Sequence, residues 1–174
     1  YNERNRGLLQ FTWANGLRKA NRLEEAFDKS EGYLSLCRVL LQQQNTPTAQ
    51  RDLVKGLIMG YLTRRTLSKT TNQPDEIIEL QRQSQMLLEE ANALAEVLHA
   101  GDPEDARSLE LWAETHYNMA LLQFDGQDYE LASESAKSLV AHVQREHARG
   151  VENKRSIAIL KAGVELQRIC AERK

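Results

Sequence analysis

The side chains best suited to binding a metal or moving a proton are four histidines, His99, His116, His142 and His147, and two cysteines, Cys37 and Cys170. Two imidazoles on one helix face need a spacing of four, and a metalloprotease-type site adds a carboxylate in HExxH. No pair here has that spacing; His142 and His147 are five apart and diverge around a helix. The pattern predicts separate surface or turn histidines, with no metal and no cofactor. Cys37 and Cys170 lie far apart in apolar helical contexts, so they read as two buried reduced thiols, with a disulfide or a reactive thiol as the alternative. Two cysteines do not fix a compartment. The chain contains no GxxxxGK[ST], GxGxxG or GxSxG, so no residue is nominated as catalytic and no enzyme is expected.

The elements that would position any site are helical. Hydrophobic residues make up 41% and charged residues 28% of the 174, the balance of a globular domain with its own core. Only nine Gly and three Pro interrupt a Leu-, Ala-, Glu-, Gln- and Arg-rich chain, and those residues favour helix. No apolar run approaches the roughly 18 residues of a membrane span, and no signal-peptide pattern opens the chain, so a cytoplasmic protein is expected. The sequence begins at Tyr1 rather than Met, which points to a part excised from a larger protein.

Pro47, Pro74 and Pro103 all fall between apolar-periodic segments, where a residue lacking an amide donor does least harm. Weaker breaks come at 20–22, 125–127 and 149–150. Seven helices are predicted, at about 3–20, 23–44, 48–69, 75–99, 104–124, 128–148 and 152–172. Ile77, Leu80, Ser84, Leu87, Ala91, Leu94 and Leu98 stripe the fourth, and Ala132, Ala136, Leu139 and Val143 the sixth. Asp75, and Asp102 or Asp128, are candidate N-caps. The expectation is an all-α fold in one domain spanning 1–174.

A repeat is visible within it. In FTWANGLRKANRLEEA, residues 11–26, Ala14 and Ala26 are twelve apart, as are Ala120 and Ala132 in HYNMALLQFDGQDYELA, residues 116–132. A large apolar residue precedes the first alanine each time (Trp13, Met119), and an apolar residue stands three before the second (Leu23, Tyr129). Small residues at this interval let two antiparallel helices cross closely. Degraded echoes place Gly60 and Gly163 at equivalent points, giving intervals of 46, 60 and 43.

With Ala113, Tyr117-Asn118, Ala120, Asp128-Tyr129 and Ala132 in place, the chain resembles the tetratricopeptide repeat, a helical hairpin of about 34 residues. The longer unit is similar to those of kinesin light chain and of bacterial regulatory repeat proteins. The resemblance implies a right-handed superhelix of hairpins at about 3–44, 48–99 and 104–148, capped by a helix at about 152–172. It also implies a concave groove lined by the first helix of each hairpin. The groove candidates are Phe11, Asn15, Arg18 and Lys19; Leu57, Tyr61, Arg64 and Arg65; and Tyr117, Asn118, Leu121 and Phe124. Guanidinium groups there would hold carboxylates or a phosphorylated segment; equally, cations near a helix C-terminus complement its dipole. The carboxylate clamp of the chaperone-binding members is not intact, since Phe11 and Ile58 fall at its positions.

Charge is uneven: residues 1–70 carry 12 Lys and Arg against 6 Asp and Glu, 71–125 carry 2 against 12, and 126–174 carry 9 against 7. Such asymmetry steers charged partners or lies on solvated faces without consequence. The function expected is a non-enzymatic protein-interaction module, a scaffold or regulatory part of a bacterial signalling protein, taking an acidic or amphipathic peptide or helix. Self-association through the basic end and the acidic middle is the alternative. Nucleic acid fits less well, because the acidic middle repels phosphate.

Overall fold

Helix formation here follows from the periodic apolar stripes and the capping residues that bound them. The computed structural model describes residues 3–173 and, among them, seven α-helices and no strand. They are α1 (Glu3–Lys19), α2 (Leu23–Gln43), α3 (Pro47–Ser68), α4 (Pro74–Gly101), α5 (Ala106–Asp125), α6 (Tyr129–Ala148) and α7 (Lys154–Ala171). The all-α expectation holds, and every boundary lies within two residues of its expected place. Among the described residues no helix is long and apolar enough to cross a membrane.

The helix starts show why. Pro47 opens α3 behind Thr46, whose hydroxyl accepts from the Ala49 amide at 3.2 Å. Asp128 caps α6, accepting from the Leu131 amide at 3.1 Å. Asn153 caps α7 in a capping box with Ser156. Asp102 does not cap α5, contrary to one expectation. Its own amide still bonds to Leu98 O at the end of α4, so the cap falls to Asp105, which accepts from the Arg107 and Ser108 amides. Asp75 lies in the first turn of α4, where a carboxylate complements the dipole.

The chain divides into two compact units, Tyr1–Leu94 and Ala95–Lys174. In the first, α1 packs on α2, α2 on α3, and α1 also touches α3. Tyr33, Cys37, Val54, Leu57, Tyr61 and Leu88 are its enclosed interior. In the second, α5 packs on α6, α6 on α7 and α5 on α7. Leu109, Trp112, Ala113, Leu139, Val143, Val151 and Ile159 form one core cluster, and Ala120, Ala132, Ala136, Leu166 and Cys170 another.

The repeated alanines are where the helices meet: Ala14, Ala26, Ala120 and Ala132 are all 0% exposed. The two turns between them also match, bond for bond, at the offset of 106 residues that carries Ala14 onto Ala120. The Arg22 amide donates to Leu17 O at 2.9 Å and the Asp128 amide to Gln123 O at 3.1 Å. Asn21 and Gln127, the residues between, have φ of 59° and 64°. Both are Schellman endings, which need a left-handed residue after the helix. The α6–α7 turn repeats the device with Gly150, at φ 84°, and a 3.0 Å bond from Val151 N to Glu146 O.

Asparagine tolerates that conformation and glycine adopts it freely, but glutamine is strained there. Gln127→Gly is therefore expected to stabilise the protein by about 1 kcal/mol, read as a higher urea midpoint at unchanged slope. An unchanged or lower midpoint would contradict the strained turn.

Candidate functional site

In the first unit, the face bearing the predicted groove residues is only partly a surface. Phe11 is half-buried with its ring 5.3 Å from that of Tyr33. Asn15 is half-buried and its Oδ1 accepts from Arg18 Nη2 at 3.2 Å. Arg18 and Lys19 occupy the last turn of α1, and Arg65 the last turn of α3, so all three complement helix C-terminal carbonyls. Lys19 is exposed and Arg65 half-buried.

The dipole does not account for Arg18 fully. Its half-buried guanidinium is pushed below the usual arginine range, first by burial and then by the positive charge of Arg65. Its Nε is enclosed and has no hydrogen-bond partner. A guanidinium with a donor to spare, held near a second guanidinium, is a place where an anion gains twice: it satisfies the donor and relieves the repulsion.

Leu57, Tyr61 and Arg64 are corrected by the structure. Leu57 and Tyr61 are 0% exposed and belong to the interior. Arg64, 6% exposed, is engaged on every side. Its Nε donates to Gln83 Oε1 at 3.0 Å and its Nη1 to Gly60 O at 3.3 Å, while Glu31 pairs with Nη1 at 2.9 Å. The guanidinium also lies 4.8 Å from the centre of the Phe27 ring. The physical reason is the position of α3, which packs against both α1 and α2 and offers little free face. A cleft of about 520 Å³ beside Arg64 is also lined by Arg38, Arg82, Met86, Leu87 and Glu90. It is charge-balanced, because Arg38 pairs with Glu90 at 2.7 Å and Arg82 with Glu79 at 2.7 Å.

In the second unit Asn118 is turned inward, 4% exposed, and donates to Glu114 O at 2.8 Å. Tyr117, Leu121 and Phe124 are half-buried and pack on the Ala120–Ala132 crossing, with the Phe124 ring 5.2 Å from that of Tyr129. They form an apolar edge, not a charged one.

The histidines depart furthest from expectation. Three of them converge around Trp112 in the second unit. His99, from the end of α4, is 7% exposed, and its Nε2 lies 2.9 Å from His142 Nε2 on α6. Trp112 is stacked against His116 at 3.8 Å on one side and lies 4.0 Å from His142 on another. His116 Nδ1 donates to Trp112 O at 2.9 Å, and its Nε2 is 3.0 Å from Glu96. His147 stands apart, 2.9 Å from Ser156 Oγ. The partners lie on three helices, so no spacing along one helix could reveal them. Among the described residues no group of three or more His, Cys, Asp or Glu side chains is placed to hold a metal ion.

Cys37 and Cys170 are buried, and neither is in a disulfide. Burial pushes the Cys37 thiol up to about 11, so it is no nucleophile at neutral pH. Comparison with protein-family models, with curated proteins and with solved structures gives no match.

Proposed function

We propose that this chain is a non-enzymatic protein-interaction module that takes an acidic segment on the face of α1 that carries Arg18 and Lys19, where Arg18 lies near Arg65. The observation that carries this reading is the Arg18 guanidinium, half-buried beside Arg65 with an enclosed Nε that nothing satisfies. A carboxylate there makes a charge-assisted hydrogen bond in a partly desolvated place, where such bonds are strongest. Phe11 and Asn15, on the same face of α1, supply an apolar and an amide contact beside the charge.

Two features support placing the module among hairpin-repeat proteins. The α1–α2 and α5–α6 turns share one geometry, and the same pairs of alanines are enclosed at the crossings. Within each unit, successive helices pack in the order a stacked hairpin array requires, first on second, second on third, first on third. The finer reading, a right-handed tetratricopeptide-type array serving as a scaffold or regulatory part of a signalling protein, is part of the proposal.

The test is capture of partners by the wild-type chain and by Arg18→Glu/Lys19→Glu/Arg65→Glu, with Arg64 left intact. The triple variant is expected to keep its helical circular dichroism and lose the partners. Equal recovery by the folded variant would sink the reading.

A further inference from the structure

The His99–His142 contact has a restricted proton inventory. Two Nε2 atoms 2.9 Å apart share one hydrogen, so one ring donates and the other accepts. His99 Nδ1 is enclosed and has no hydrogen-bond partner. If His99 accepted at Nε2, its hydrogen would sit on that partnerless Nδ1, and an orphaned buried donor is rarer than an orphaned acceptor. His99 therefore donates from Nε2, and His142 carries its own hydrogen on Nδ1.

This arrangement resists a proton at either ring. A proton added to His99 goes to the enclosed Nδ1. A proton added to His142 goes to Nε2 and replaces the hydrogen bond with two facing N–H groups. Burial holds both rings below the usual imidazole range. The charged surroundings act in both directions, after burial: Glu146 and Glu96 favour charging His99 while Arg149 opposes it. At His142, Glu146 favours charging, and His99, Arg145 and His116 oppose it. Glu146 is itself tied to Arg149 at 2.9 Å. Across Trp112, His116 is also held low by burial, against the pull of the Trp112 carbonyl and Glu96.

We propose that His99, His142 and His116, gathered around Trp112, form an acid-released latch that fastens the last two turns of α4 to α5 and α6. A histidine whose folded pKa lies below its unfolded value takes its proton more readily when released. The latch is thus fully closed above the unfolded value, about 6.5, and opens as pH falls through the lower folded value. Opening breaks the His99–His142 bond and exposes Trp112, which is 6% exposed when the latch is closed.

The experiment uses the full chain with Trp13→Phe, so that Trp112 is the sole indole, in EDTA. Between pH 7.5 and 5.5, Trp112 emission is expected to dim and shift to the red, and Tm to fall by a few degrees. His99→Gln/His142→Gln in the same background is expected to flatten both responses. Emission and Tm that do not change with pH, or that change equally in the double variant, would overturn the latch. Because the double variant can lose its fold, imidazole ¹⁵N spectra of the wild type give an independent reading. They are expected to show His99 protonated on Nε2, His142 on Nδ1, and both titrating below about 6.5. Midpoints at or above that value would overturn the proposal as surely.

Discussion

Ala120→Leu is expected to destabilise the protein by roughly 3 kcal/mol, the upper part of the range for forcing a large side chain into a filled core. Ala120 is 0% exposed and shares its cluster with Ala132, Ala136, Leu166 and Cys170. Three of these five side chains are a methyl group, so α5 and α6 approach closely and leave no room for a longer one. A leucine must either adopt a poor rotamer or push α5 away from α6, which also strips Tyr117, Leu121 and Phe124 of their packing. Urea unfolding followed by circular dichroism measures the loss. Ala14→Leu repeats the experiment in the first unit, where Ala14 is equally enclosed. A cost below about 0.5 kcal/mol, the size of an ordinary surface change, would show that the helices do not cross at these residues.

The second large effect separates a structural arginine from a binding one. Arg64→Ala is expected to cost about 2–3 kcal/mol, less than the 3–5 of a fully buried broken pair. The discount follows from Glu31, whose side chain is 41% exposed and rehydrates when its partner leaves. What remains is the loss of the bonds to Gln83 Oε1 and Gly60 O and of the stacking on Phe27. Lysine restores only part of it, because an ammonium cannot reproduce the planar fork. Thermal unfolding of Arg64→Ala and Arg64→Lys checks the order. A stable Arg64→Ala that had lost its partners would return Arg64 to the ligand set and overturn the internal role.

Much of the fold was legible because the local signals agree. Pro47 and Pro74 open helices, the twelve-residue alanine interval marks the crossings, and Asp128 caps α6 as its position before the Ala132 stripe suggests. Asp102 misled because two aspartates, Asp102 and Asp105, flank Pro103 within four residues, and only the path of the chain out of α4 decides between them. The site was less legible. Arg64 and Arg65 are adjacent and chemically alike, yet they point about 100° apart around α3. Which one faces the interior depends on α1, α2 and α4, not on anything near them in sequence. Leu57 and Tyr61 are apolar and suit either a groove or a core; the packing of α3 against two neighbours makes them core. The histidines were hidden for a related reason. His99 and His142 are 43 residues apart on different helices, and a metal-type spacing within one helix says nothing about a pair assembled by packing.

An acidic segment is expected to bind where Arg18 lies near Arg65, and direct titration tests this most plainly. A fluorescently labelled peptide rich in glutamate and leucine, followed by anisotropy at low and at physiological salt, is expected to bind the wild-type chain and to weaken as salt rises. Arg18→Glu/Lys19→Glu/Arg65→Glu is expected to lose at least about tenfold in affinity, some 1.4 kcal/mol, while keeping its helical circular dichroism, with Tm lowered by the loss of three helix C-terminal cations. Equal affinity in the wild-type and triple-variant chains, or no binding by either, would contradict it.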